Sequence, residues 1–342
     1  MRIQVLGSGL EALATTLILR HNGFDDVQLI DAPTLPDDPV IELPPNATRV
    51  LYALGLKTTL ENTAAAPRME HRRSALSGYL LQQRPLGAFA LDRYKAPHLI
   101  IATESLVALI VERLKSDAAL DTTASTPADV VIIANGPDST PRDLIATLEH
   151  QTTPWSERWL HSRAAGNTIN FWLADGSCLR ELPTPTDRFA LHIGGASMHP
   201  RFSTLCELEE SSTSAPVHDT EPLSKWYEGH HVVVGSAAHP LLPFTNQHFA
   251  LTVEDAWVLA RMLDSYGDDL SLALSEYQRY RQPRAKRVQA WARKQGRIAT
   301  ESRALQRLRR NIRYAVDYWL LPEVALQAED WLYEYDCIKG FD

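Results

Sequence analysis

Three features of this 342-residue chain predict an α/β fold with a sheet-rich insert. The first is a strand–turn–helix–strand unit at the N-terminus. The second is a pair of later apolar, β-branched runs, Val130-Val131-Ile132-Ile133 and Val232-Val233-Val234, each followed by a glycine loop, as buried parallel strands are. The third is the stretch from Thr152 to Pro222. There the alternating segments Thr168 to Leu173 and Arg188 to Ile193, with turns at Asp175-Gly176 and Gly194-Gly195, read as antiparallel strands.

The N-terminal unit runs from strand Arg2–Leu6 through GSGLEA to a helix at Leu13–His21. Gly23 stops the helix, and a second strand, Val27–Ile30, ends on Asp31. This is the dinucleotide fingerprint GxGxxG/A in its βαβ setting. Gly7 permits the turn, Gly9 lets a phosphate approach the backbone, Ala12 fits helix against strand, and Asp31 stands where a ribose hydroxyl would be bound. The plainer reading is an ordinary α/β turn without a ligand. In PPNATRVLYALGL, Pro44 to Leu56, Asn46 is expected as N-cap and Gly55 as the C-terminal stop. Gly78–Leu81 and Phe89–Leu91 look strand-like, and Leu99–Leu114 looks like an amphipathic helix.

The chain is organised around HVVVGSAAHPLLPFTNQHFALTVEDAWVLARML, His231 to Leu263. A strand ends at Gly235, a proline-punctuated loop follows, and Leu251, Val253, Val258, Leu259 and Leu263 then recur at helical spacing. Such junctions bind ligands because a helix N-terminus offers free N–H groups and a positive dipole end. Leu270 to Arg313 reads as C-terminal helices broken at Pro283.

Composition excludes several classes. The longest apolar candidate, Leu99–Leu114, is interrupted by Glu104 and Glu112 and falls short of a membrane span. The N-terminus lacks a basic front and a cleavage site, so no signal peptide is expected. Three scattered cysteines, Cys178, Cys206 and Cys337, point to a reducing compartment and a cytoplasmic protein. His199, His230, His231, His239 and His248 show no metal-ligand spacing. Between Arg279 and Arg313 stand 13 Lys/Arg against one acid, in a chain of net charge −8. Either Arg stems lie along the body of the protein or the segment is a contact surface for a protein partner; nucleic acid is not expected.

Several of these stretches resemble the class A FAD-dependent aromatic monooxygenases, the para-hydroxybenzoate and salicylate hydroxylase family. GSAAH (Gly235 to His239), Pro243, NQH (Asn246 to His248) and Glu254-Asp255 follow the family's GDAAH, Pro, GQG and ED. PNATRVLYALGL is similar to the helix after the family's second strand, and DWLYEYD (Asp330 to Asp336) to the WLYGYD ending. The resemblance spans Met1 to about Asp336. It implies a Rossmann-type FAD-binding fold, para-hydroxybenzoate hydroxylase-like, with an inserted mixed β-sheet substrate domain and C-terminal helices. Residues 1–65, 98–150 and 226–275 would form the cofactor domain, 66–97 and 151–225 the substrate region, and 276–342 the helical end. It further implies FAD reduced by NAD(P)H, oxygen activation, and oxidation of a small aromatic or apolar metabolite. Gly7, Gly9, Ala12, Asp31, Asn135, Gly136, Gly235, Ser236, Pro243 and Gln247 would line the cofactor. Ser139 and Arg142 match a Ser and an Arg in the loop that contacts flavin and nicotinamide.

This sequence departs from the family at four places. Ser236 replaces an Asp on the ribityl chain, Thr103 replaces an Arg, Asn135 replaces an Asp, and Asn246 and His248 replace two glycines around Gln247. Each of the first three weakens flavin binding by roughly 1–2 kcal/mol, and a His248 side chain could obstruct the flavin's approach. The alternative function is therefore a flavin-free descendant doing cyclisation, isomerisation or dehydration, with His239 and His248 as acid and base. A third is a non-catalytic partner protein acting through Arg279–Arg313.

Overall fold

The computed structural model describes residues 1–342 except 36, 117–126, 136–144, 146–149, 164–165, 196–197, 211–213, 222, 321–326 and 340–342. In chain order the elements are β1 (Ile3–Leu6), α1 (Leu10–His21), β2 (Val27–Leu29), β3 (Val40–Leu43), α2 (Pro45–Ala53), α3 (Lys57–Thr63), β4 (Met69–Ser74), β5 (Leu80–Pro85), α4 (Gly87–Tyr94), β6 (Leu99–Ala102), α5 (Thr103–Ser116) and β7 (Val130–Ile133). Then come β8 (His150–Ser162), β9 (Thr168–Leu173), β10 (Cys178–Pro183), β11 (Arg188–Gly194), α6 (Pro200–Cys206), β12 (Leu208–Glu210), β13 (Ala215–Thr220), β14 (Tyr227–Glu228), β15 (His231–Val233), α7 (His248–Ser265), α8 (Leu270–Ala299), α9 (Ala304–Leu320) and α10 (Asp330–Tyr333).

The first sheet has the order β14-β15-β7-β1-β2 and is parallel except at its β14 edge. Ile3 and Val5 pair with Val27 and Leu29 on one side and with Val130 and Ile132 on the other, and all six are buried. Both faces of such a sheet are covered, which is why its strands read as unbroken apolar runs. The second sheet runs β12-β8-β11-β10-β9-β4-β5, with β13 also on β8; among the described residues only its β4 and β9 pair in parallel.

Four local expectations are corrected. Leu99–Ala102 is not helical: it is β6, antiparallel to β3, and the helix starts at Thr103. A short apolar run does not distinguish strand from helix by periodicity, and here the open edge of β3 decides. Phe89–Leu91 lies in α4, where Ala90 and Tyr94 are buried four residues apart on one helical face. Asn46 does not cap α2. Pro44 occupies that position, Pro45 opens the helix, and the Asn46 amide is buried. Finally, α8 runs through Pro283 without a break. A proline in mid-helix costs about 3 kcal/mol, and here buried ion pairs of Arg281 and Arg284 hold the helix on both sides of it.

Those ion pairs converge on Glu254 and Asp255 in α7. Arg281 donates from Nε to Asp255 Oδ1 at 2.7 Å and from Nη2 to Glu254 Oε2 at 2.8 Å. Arg284 grips Glu254 through two bonds of 2.6 and 2.7 Å. His239 Nε2 lies 2.5 Å from Asp255 Oδ2, the Gly235 N–H donates to the same oxygen, and Asn46 donates to Glu254 Oε1. Burial pushes both carboxyls up. The facing Arg284 and Arg281 for Glu254, and His239 and Arg281 for Asp255, outweigh it and hold both below their usual range. The basic C-terminal segment thus turns two of its guanidiniums inward, while Arg287 stacks on Trp331 and Arg293 pairs with Asp219.

Removing one partner of such a network leaves buried charge uncompensated, at a cost of about 3–5 kcal/mol. Arg281→Ala is expected to lower urea-unfolding stability by that amount, measured by circular dichroism. A loss under about 1 kcal/mol would place the network's weight elsewhere.

Candidate functional site

A cavity of about 800 Å³ lies between the carboxyl edge of the parallel sheet and the second sheet, which forms its roof. This is the crevice where open α/β sheets receive ligands. Its floor comes from three loops that leave adjacent strands: Ser8 to Glu11 after β1, Ala134 and Asn135 after β7, and Ser236 after β15. Glu157, Trp159, Arg180 and Leu182 come down from the roof, and Pro240, Pro243, Asn246 and His248 close one end.

The turn after β1 is built for close approach. Gly7 has φ +140°, its N–H donates to Asp31 Oδ2 at 2.9 Å, and an added Cβ would stand 2.6 Å from the Ala134 carbonyl oxygen. Only glycine fits there. Ala12 packs beneath this turn, fully buried. A Cβ on Gly9 would meet nothing within 4 Å, because Gly9 faces open cavity. The turn at Gly7 to Gly9 is open toward the cavity, with Asp31 bracing it through the Gly7 N–H.

The other expected residues divide. Ser236, Asn135 and Pro243 line the cavity, and among the described residues Asn135 Oδ1 is buried without a hydrogen-bond partner. Gly235 carries φ +61° and shapes the turn from below; a Cβ there would stand 2.5 Å from Thr252 Oγ1. Gln247 is turned away from the cavity, accepting from Asn46 and donating to Asn246. Thr103 is also buried off the cavity, its N–H donating to the Pro39 carbonyl. Gly136, Ser139 and Arg142 lie outside the described residues. His239 does not line the cavity: it is 2% exposed and committed to Asp255, which removes it as a free acid or base. His248 does line it. The residue is exposed to the cavity.

Two acids that sequence reasoning missed face this space. Glu11, the second residue of α1, accepts from the Ser236 N–H at 3.1 Å, the Ser236 hydroxyl at 2.7 Å and the Thr252 hydroxyl at 3.0 Å. Burial raises its pKa, and those bonds pull the other way. The available signal was an acid at a variable fingerprint position where the helix N-terminus is meant to receive phosphate. Glu157 on β8 is pushed up to about 7, first by burial and then by Asp38. Nothing local in the sequence announces it, because only the roof topology carries it over the cavity. Arg180 is engaged by Glu42 through two bonds, of 2.5 and 2.8 Å. A side cavity of about 40 Å³ beside Arg180 and Asn246, lined by Glu70, Arg84 and Glu329, has room for a water or two at most.

FAD suits this site at one end: the open turn at Gly9, braced by the bond from the Gly7 N–H to Asp31, fits an adenosine with its adjoining phosphate, with Asn135 lining the cavity nearby. The volume falls within the usual range for ligand sites. At the middle, Glu11 must release Ser236 or be neutral before a diphosphate can share the N-terminus of α1. Among the described residues no cluster of metal ligands exists, and no helix is long and apolar enough to cross a membrane.

An α/β protein with a dinucleotide-type cradle beneath a mixed-sheet roof is the class these features define. No protein-family model matches the chain. It is 25% identical to 3-amino-4-hydroxybenzoate 2-monooxygenase PtnB3 of Streptomyces platensis, over 86% of this chain and 87% of that protein. It is 24% identical to 6-hydroxynicotinate 3-monooxygenase of Pseudomonas fluorescens, over 84% and 89%. Among solved structures, a variant of Klebsiella pneumoniae HpxO complexed with FAD superposes with a TM-score of 0.83 at 18% identity, over 97% of this chain and 98% of that one. p-Nitrophenol 4-monooxygenase PnpA of Pseudomonas putida DLL-E4 gives 0.83 at 17%, with the same coverage. The chain is thus similar in sequence to monooxygenases of small aromatic compounds and shares the fold of the flavin-binding HpxO.

A carboxyl raised in the folded state destabilises it as pH climbs from the unfolded value toward the folded one. Glu157→Gln is therefore expected to stabilise the protein by about 1–2 kcal/mol at pH 8 and not at pH 4, read from denaturant midpoints. Equal effects at both pH values would show that Glu157 does not titrate near neutrality.

Proposed function

We propose that this protein is an FAD-linked, monooxygenase-type oxidoreductase acting on a small, uncharged aromatic or apolar metabolite, with NAD(P)H as reductant and O2 as co-substrate. One observation carries the reading: a continuous cavity runs from the Gly7–Gly9 cradle to the Pro243–His248 end beneath a roof with Trp159, Leu182 and Leu191 on it. Gly7, Gly9 and Asp31 would hold the adenosine end, Ser236 and Asn135 the middle, and Pro243 and the start of α7 the ring end. FAD would supply the electron transfer and the oxygen activation that no side chain offers. The protein's own residues orient and exclude water: the roof keeps the substrate dry, and His248 and Glu157, which both line the cavity, are placed to hold or pass a proton. Arg180 is already neutralised by Glu42, which argues against an anionic substrate.

In this reading residues 1–65, 98–150 and 226–275 act as the cofactor domain and 66–97 with 151–225 as the roof. The cysteines are all free and buried, which suits a reducing cytoplasm. A second reading, a flavin-free protein with His248 and Glu157 as its acid–base pair, is favoured by Glu11, which already holds the donors of Ser236 and Thr252.

The test is the visible spectrum of purified protein after incubation with FAD and gel filtration, followed by NAD(P)H oxidation with neutral phenols. Retained flavin and substrate-stimulated oxidation are expected. A protein that takes up no flavin, and does not quench FAD fluorescence, leaves the flavin-free reading.

A further inference from the structure

We propose that the Glu11 carboxylate is a built-in competitor for the flavin diphosphate, so that FAD enters the cavity only as Glu11 takes up a proton from solvent. The inference rests on the reading of this cavity as a dinucleotide site.

The geometry is specific. A dinucleotide places its phosphates over the N-terminus of the first helix, where free N–H groups and the helix dipole favour an anion. Glu11 sits in the first turn of that helix and lines the cavity. Its carboxylate accepts three hydrogen bonds, from the Ser236 N–H, the Ser236 hydroxyl and the Thr252 hydroxyl. It thereby answers the helix dipole with its own negative charge and ties the β1 loop to the loop after β15 across the floor of the cavity. A second anion brought to this spot meets a like charge at close range, and only the neutral carboxyl removes that cost.

The groups around Glu11 fix the direction of the pH effect. His239, in the loop after β15, favours the charged form of Glu11 and is itself bound to Asp255 of α7. His248 of α7, Asp38 after β2 and Glu157 on the roof border the same cavity. Burial outweighs the bonds from Ser236 and Thr252, so Glu11 titrates above an ordinary glutamate. Above its free-state pKa, each pH unit then weakens FAD binding by up to about tenfold; below it the penalty vanishes.

Three proteins decide the matter: the unmodified chain, Glu11→Ala and Glu11→Gln. Each is checked by circular dichroism and titrated into FAD from about pH 5.5 to 8.5, with flavin fluorescence quenching as readout. Riboflavin, which has the ring but no phosphate, serves as control. Glu11→Ala and Glu11→Gln are expected to bind FAD about ten- to hundredfold more tightly than the unmodified chain at the alkaline end, with the gap narrowing toward the acid end. Any pH slope from the other groups bordering the cavity remains in all three, so the difference belongs to Glu11. Riboflavin affinity should not change. Equal FAD affinities at every pH overturn the role of Glu11 and leave the dinucleotide site standing. A gain for riboflavin as large as that for FAD assigns the effect to space rather than charge and also overturns it. Failure of all three proteins to bind FAD at any pH overturns both this inference and the flavin reading.

Discussion

Two adjacent buried carboxylates, Glu254 and Asp255, are the constraint on which the rest of this structure depends. Burying an isolated charge costs many kcal/mol, so α7 is tenable only if cations and N–H donors come to it. They come from three parts of the chain: Arg281 and Arg284 in α8, His239 and Gly235 in the loop after β15, and Asn46 in α2. Each partner fixes an element. The proline in α8 is tolerated because its helix is pinned on both sides, and the loop after β15 is held from below. Ser236 therefore has little freedom in where it presents its hydroxyl, and Glu11 meets it there.

The parallel sheet, the β1–α1 turn and the cavity's position were legible in the sequence because they rest on local signals: β-branched runs, a glycine that must take a positive φ, and a helix start. The site was legible only in part. Ser236 and Asn135 face the cavity as expected, whereas His239 and Gln247 sit in the same motif and face the core. One-residue steps along an irregular loop decide which way a side chain points, and no periodicity reports it. Glu157 was invisible for a different reason: it lies on a roof strand distant in sequence, and its proximity to Asp38 is a product of topology. Leu99–Ala102 and Phe89–Leu91 were misread because short apolar segments take the structure their neighbours offer.

The loop and helix from Gly235 to Asp255 thus carry two kinds of information on opposite faces. Toward the core, His239, Glu254 and Asp255 serve the network, and changing them removes partners from buried charge. Toward the cavity, Asn246 and His248 border space, and Ser236 borders it while donating to Glu11. This separation is the physical reason a chain can keep the resemblance to the flavin hydroxylases along its length while replacing charged groups at the ligand face.

Charge around the cavity sharpens the point. Glu11, Asp38, Glu42 and Glu157 border it, and Arg180 is spent on Glu42. An anionic diphosphate would ordinarily be met by free guanidinium groups and helix N–H donors. Here the helix end is answered from within the chain, and the nearby hydroxyls of Ser236 and Thr252 are turned to the same carboxylate. Glycines survive where the backbone must turn, because Gly7 and Gly235 are demanded by the fold whether or not a dinucleotide is present. The glycine pattern therefore identifies the fold, and the charge that a ligand meets is set two positions after Gly9, where Glu11 lines the cavity at the start of α1.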